Sequence, residues 1–333
     1  MSSRQPRRLA GALALTLALV AGCGSTDSGE ESAAAAPETR VFSADNGEIT
    51  IPADPKRVVA TGYAVPALIE ADTPLVGISG WKRGLAMMTE EDLATYNGLE
   101  KIAGETAAET NYEAVAKAKP DLIVIGVPKP VLGDIDMKRL ESIAPVVAIG
   151  PTVPSAWREL SRRQSDAAGR LGGFETAKAA YEKKAAELTE KYRGVLDGVK
   201  FGHVGAYGDI AKGTFHREFA ESWGTNIASD IGVTYYGEVK KKGGGALDVS
   251  EHPSIEELPE SFAEADAITY TLESDGSVSE PVQYVLDSKL WKNLPAVKAG
   301  KVFPLRYTEA ATYGSAIKTL DSIDEALAPL LGR

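Results

Sequence analysis

The chain has 333 residues, 44 % hydrophobic and 25 % charged, with a formal net charge of −11. That length is enough for two lobes, and the acidic balance argues against nucleic acid, whose phosphate backbone demands clustered Lys and Arg. A single cysteine, Cys23, excludes an intrachain disulfide framework.

In chain order, residues 1–22 read as a signal peptide: Arg4, Arg7 and Arg8 precede an apolar run from Leu9 to Val20. The run is about a dozen residues, short of the ~20 that a membrane span needs. Val20-Ala21-Gly22-Cys23 resembles a bacterial lipobox, so Cys23 is expected to become a lipidated N-terminus. Residues 23–40 are rich in Ser, Gly, Glu and Ala and should form a flexible tether. Without residues 1–22 the chain keeps 33 Lys+Arg against 47 Asp+Glu, a net charge of −14.

From about residue 41 short apolar runs recur, at 57–63, 75–80, 122–128 and 146–151, then at 200–208, 267–273 and 301–307. Continuous runs separated by helical patterns predict parallel strands buried on both faces, an α/β fold. Between the two groups, Phe174, Ala177, Tyr181, Leu188, Tyr192 and Val195 fall on one helical stripe. This predicts a connector helix of about 22 residues, with Glu187 and Lys191 as an i,i+4 pair and Gly194 as its stop. The expected division is an N-terminal lobe over 41–168, a connector over 169–197 and a C-terminal lobe over 198–333. Residues 240–245, KKKGGG, read as an exposed loop.

Catalytic motifs are sparse. Ser315 and Lys318 match S-x-x-K, the nucleophile motif of penicillin-recognising serine enzymes, but neither S-D-N nor K-T-G accompanies them. Their spacing places them on the solvent face of a helix, so no enzyme is expected. The three histidines, His203, His216 and His252, all lie beyond the connector, leaving no histidine in the first half for an interlobe metal site.

Four stretches resemble the metal-chelate binding proteins of ABC importers. They are DPKRVVATGYAVPALIEADTPLVGISG (54–80), NYEAVAKAKPDLIVIG (111–126), SIEELPESFAEADAI (254–268) and LWKNLPAVKAGKVFPL (290–305). The resemblance implies a class III periplasmic binding fold: two lobes, each a mostly parallel sheet flanked by helices, joined by one long rigid helix. It implies a chelate held between the lobes, and Glu113 and Glu256 at the lobe tips as docking carboxylates for the importer's permease subunits. The family includes binders of ferric siderophores, haem and cobalamin.

In open α/β sheets ligands lie at the carboxyl ends of strands. Candidates there are Thr61, Tyr63, Trp81, Arg83, Tyr207, Tyr270 and Arg306, with Trp223 in a loop that the resemblance turns toward the ligand. A ferric siderophore arrives with its iron already coordinated, so flat apolar walls and an arginine donor suffice, and no resident cofactor or protein-held metal is expected. Few strand-end arginines favour a neutral or positive ferric hydroxamate of ferrioxamine type over an anionic catecholate; other chelates remain the alternative. The expected protein is a monomer, extracytoplasmic and lipid-anchored to the cell membrane of a Gram-positive-type bacterium.

Overall fold

A computed structural model describes residues 38–332. The stretch read as a signal peptide, Cys23 and nearly all of the stretch read as a tether lie outside the described residues.

The described chain opens with an antiparallel hairpin, β1 (Thr39–Ala44) and β2 (Gly47–Pro52). It starts two residues inside the stretch read as tether, and Phe42 and Ile51 bury their side chains in the N-terminal core. Arg40 pairs with Asp166 at 3.0 Å and Arg163 with Asp45 at 2.9 Å, tying the hairpin to the helix Trp157–Ala167.

The N-terminal lobe is a five-stranded, wholly parallel sheet. Its strands are β3 (Val58–Gly62), β4 (Leu75–Ser79), β5 (Lys101–Ala103), β6 (Leu122–Gly126) and β7 (Val146–Ala148), in the order β5-β4-β3-β6-β7. Every residue of β6 and β7 is buried, as expected for a sheet covered by helices on both faces. Each such Val, Ile or Leu contributes about 1.5–3 kcal/mol relative to exposure.

The connector is the helix Leu171–Leu196, 26 residues long and so about 39 Å. Phe174, Tyr181, Leu188 and Tyr192 are buried along it as the stripe requires. Two details differ from the sequence reading. Gly194 lies inside the helix, and the left-handed turn falls at Gly198, φ +73°. Lys191 turns from Glu187 to Asp324, at 2.5 Å, because the C-terminal helix Tyr313–Leu327 packs alongside.

The C-terminal lobe has a mixed sheet of β8 (Lys200–Gly205), β9 (His216–Glu218), β10 (Thr234–Tyr235), β11 (Ser250–Glu251), β12 (Ala267–Thr271) and β13 (Val302–Leu305). Its order is β11-β9-β8-β12-β13, with β10 beside the start of β8; β9 runs antiparallel to both neighbours. The lobes also touch directly. The half-buried carboxylate of Glu70 accepts hydrogen bonds from the N–H groups of Tyr313 (3.2 Å) and Gly314 (2.5 Å) at the start of the C-terminal helix. Trp157 Nε1 donates to Asn226 Oδ1 at 3.0 Å.

Candidate ligand-binding site

In the N-terminal sheet the chain runs outward from β3 to one edge, then returns to build β6 on the other side. The crevice between β3 and β6 is therefore a topological switch point, where open α/β sheets accept ligands. Close approach there requires glycine: a Cβ on Gly62 would sit 2.6 Å from Gly126 O, and one on Gly126 would sit 2.3 Å from Ala64 N. Tyr63 N donates to Gly126 O at 2.9 Å, which fixes Tyr63 at the mouth of this crevice.

Two cavities meet at Tyr63 and Pro128. The larger, about 630 Å³, lies between the lobes. Pro128–Pro130, Pro151–Pro154, Trp157 and Leu160 line one side, and Trp223 and Gly243–Ala246 the other. Its walls are apolar apart from Tyr63, Lys129 and Thr152. The smaller, about 270 Å³, continues under the N-terminal rim past Trp81, Arg83, Glu105 and Asp134. The larger falls within the size range of small-molecule sites, and the smaller extends it.

Arg83 is the polar centre of the rim. Its guanidinium lies 4.6 Å from the Tyr63 ring centroid and 4.7 Å from that of Trp81, and it hydrogen-bonds the Tyr63 hydroxyl. Tyr63 and Trp81 themselves meet edge to face at 4.9 Å. Such stacking holds the planar cation by its faces and leaves edge N–H groups free for an acceptor. Burial against the rings lowers the Arg83 pKa, while Glu309 and Glu105 oppose that shift. Glu309, from the loop after β13, is raised by its own burial, with Arg83 opposing, and accepts a hydrogen bond from the Tyr207 hydroxyl.

The family described as periplasmic binding protein matches residues 58–307. The chain belongs to this family. It is 26 % identical over 303 residues to the iron(3+)-hydroxamate-binding protein YxeB of Bacillus subtilis, spanning 89 % of this chain and 87 % of that one. It is 28 % identical over 298 residues to the iron(3+)-hydroxamate-binding protein FhuD of the same organism, spanning 87 % of each. Among solved structures, the siderophore periplasmic binding protein from the fuscachelin gene cluster of Thermobifida fusca aligns at TM-score 0.65 and 30 % identity, over 84 % of this chain and 98 % of that one.

The binding-protein fold sorts the residues singled out in the sequence. Tyr63 and Trp223 line the interlobe cavity, and Trp81 and Arg83 its extension. Trp81 is only 7 % exposed and serves chiefly as the support on which Tyr63 and Arg83 rest. Tyr207 is 52 % exposed on the C-terminal rim, linked to Glu309 rather than lining either cavity. Tyr270 packs against the second lobe's core, in register with Val204 of β8, and burial raises its pKa. Thr61 stays within β3, paired with Ile125.

Arg306 departs most from its expected place. It lines a separate cavity of about 580 Å³ with Leu272, Phe303 and Ser322, and its Nη2 meets Glu325 Oε2 at 3.1 Å. Because β13 is an edge strand, the arginine that follows it can turn outward to the carboxylate of the neighbouring helix.

Glu113 and Glu256 are both exposed, on the first turns of the helix Tyr112–Ala118 and the 3₁₀ turn Ile255–Glu257. The adjacent Glu257 is committed elsewhere: it accepts the Ser254 N–H at 3.2 Å and pairs with Lys240 at 2.8 Å. Glu256 has no ion-pair partner among the described residues.

Ser315 and Lys318 do not sit on a solvent face. Ser315 is buried; its hydroxyl donates to Thr312 O (2.9 Å) and accepts from Thr312 N (3.0 Å), within the cap of the C-terminal helix. Lys318 Nζ donates to the carbonyls of Ala86 and Met88 on the other lobe. Both side chains are spent on structure.

Sequence reading missed Trp157, the cavity prolines, Glu309 and the approach of Gly243–Gly245. The 240–245 loop is exposed as expected, but its glycines also form cavity wall. Proline density after β6 and β7 was the available signal.

Proposed function

We propose that the chain captures a ferric hydroxamate siderophore in the interlobe cavity and delivers it to the permease subunits of an ABC importer. The observation that carries this reading is the cavity lining. Trp157, Trp223, Leu160 and the prolines offer flat apolar surface, and the 630 Å³ chamber is lined by no histidine, cysteine or carboxylate. Such a wall suits the exterior of a chelate whose iron is already coordinated. Arg83, held by its faces, supplies edge donors for hydroxamate oxygens, and Tyr63 a hydroxyl beside them. The names of the Bacillus relatives agree with this ligand class.

The single arginine at the rim stands close to Glu309, Glu105 and Asp134. That balance favours a neutral or cationic ferric hydroxamate over an anionic tris-catecholate. Glu113 and Glu256 serve as the docking carboxylates, and Cys23 carries the lipid that keeps an extracytoplasmic monomer near its importer. With Ser315 and Lys318 engaged in structural bonds, the role is binding rather than catalysis.

The test is titration of the purified chain with ferrichrome and ferrioxamine, followed by tryptophan fluorescence. Quenching with micromolar or tighter affinity is expected. Binding of cobalamin, haem or a ferric catecholate with no response to either hydroxamate would overturn the ligand class.

A further inference from the structure

Behind Trp223 lies a cluster of ionisable side chains that the cavity does not touch. His203 on β8 and His216 and Glu218 on β9 are 0, 3 and 3 % exposed. Glu218 Oε1 lies 3.3 Å from His216 Nδ1, and Oε2 lies 3.9 Å from His203 Nε2. Oε2 also accepts the N–H of Gly224 at 2.5 Å. That amide directly follows Trp223.

The space for the cluster is reserved by glycine. A Cβ on Gly205 would come 2.3 Å from Glu218 Oε1, and one on Gly224 would come 2.0 Å from His203 Nε2. From β12, Thr269 Oγ1 meets His203 Nδ1 at 2.7 Å and Thr271 Oγ1 meets Nε2 at 3.1 Å. From β10, the Tyr235 hydroxyl joins Thr269 at 2.9 Å. After β11, the His252 ring stacks on His216 at 4.8 Å, and Asp209 and Lys212 act on His252. The Tyr207 amide points at His216 Nδ1 from 3.5 Å. Arg217, the intervening residue of β9, pairs with Glu251 at 3.4 Å. Among the described residues no lysine or arginine pairs with Glu218.

A buried carboxylate without a cation must be protonated or held by hydrogen-bond donors. Burial raises Glu218 to about 7, with the Gly224 N–H opposing. Burial lowers His203 and His216 to about 3, so both are neutral near pH 7. Protonated Glu218 can donate from Oε1 to the neutral His216 Nδ1 while Oε2 still accepts from Gly224. On ionisation the proton leaves to bulk water, and the Gly224 bond becomes charge-assisted, about twice as strong.

We propose that Glu218 is a positioning residue for the ligand wall: through Gly224 it holds the Trp223 loop, and it couples ligand affinity to the proton it shares with His216. This rests on the cavity being the ligand site. A ligand packed on Trp223 favours the firmly held loop, hence ionised Glu218, so binding releases a proton and tightens as pH rises.

The test uses the full chain with ferrichrome, a neutral probe. Affinity should rise about three- to tenfold from pH about 6 to about 8, and Glu218→Gln, which keeps the acceptor but cannot titrate, should flatten the profile. Calorimetry in two buffers of different ionisation enthalpy should find a fraction of a proton released near pH 7. In the ligand-free chain, tryptophan emission should shift over the same range, and Trp223→Phe should abolish the shift. A flat wild-type profile, or an unchanged inflection in Glu218→Gln, overturns the proposal. Should that variant not fold, absence of proton release, or an emission shift surviving Trp223→Phe, overturns it equally. Ferrichrome failing to bind at any pH, with the Trp223-dependent shift intact, sinks the ligand reading and leaves the positioning role standing.

Discussion

The two rims of the cavity are held in place by different forces. On the N-terminal side, backbone contact at Gly62 and Gly126, the cavity prolines and the Tyr63–Trp81–Arg83 stack define the wall. On the C-terminal side, Trp223 sits on a loop hung from buried ionisable groups. Steric packing is indifferent to pH in the neutral range, whereas a buried carboxylate raised to about 7 is not. A titratable carboxylate buried behind it distinguishes the second wall, so a change of pH that leaves the first unchanged should move the second.

The largest effect that would sharpen this contrast is on stability. His203 and His216 titrate in the folded chain well below their ordinary value of 6.5. Their stabilisation is present above pH 6.5 and is lost progressively as pH falls from there toward about 3. Glu218 is raised from 4.5 to about 7, so its contribution has the opposite sign: present below 4.5 and lost as pH rises through 7. Thermal melts should therefore show a shallower acid decline in His203→Asn and a steeper one in Glu218→Gln. Identical slopes in all three proteins would mean that the second lobe is as pH-indifferent as the first.

Next comes the wall itself. Trp223→Ala should weaken ferrichrome binding by about thirtyfold or more, the loss of roughly 2 kcal/mol usual for an aromatic anchor, as read by calorimetry. A loss under threefold would place the binding energy on the N-terminal rim alone. The two arginines give a smaller, paired test. Arg83→Ala should cost about tenfold, or about 1.4 kcal/mol, while Arg306→Ala should stay within twofold because its guanidinium faces Glu325. The reverse ranking would return Arg306 to the site. Smallest of all, Glu113→Ala and Glu256→Ala should leave affinity unchanged and reduce ferric siderophore uptake by cells; weakened binding would bring the lobe tips into the ligand site.

Legibility followed the range of the interactions. Seven strands and the connector could be read because apolar runs and a helical stripe are local patterns. The hairpin β1–β2 was missed although Asn46-Gly47 is a strong turn signal, since it adjoins the low-complexity tether. Strands β5, β9, β10 and β11 are two or three residues long and carry no period; they exist because a neighbour completes their hydrogen bonds. Tyr63, Trp81, Arg83 and Trp223, named from strand ends and resemblance, line the two joined cavities. Arg306 lines a different cavity because nothing local says that β13 is an edge strand with Glu325 within reach.

By itself the sequence determined two α/β halves, the helix between them and the family to which they belong, because burial period and motif spacing are written along the chain. Tertiary structure decided which strand-end residues share a cavity. It also brought residues 203, 216 and 218 into one buried cluster behind residue 223. That grouping depends on β9 lying antiparallel beside β8 and on glycines leaving room for charged side chains. Strand order and close backbone approach are long-range properties, and no local pattern encodes them.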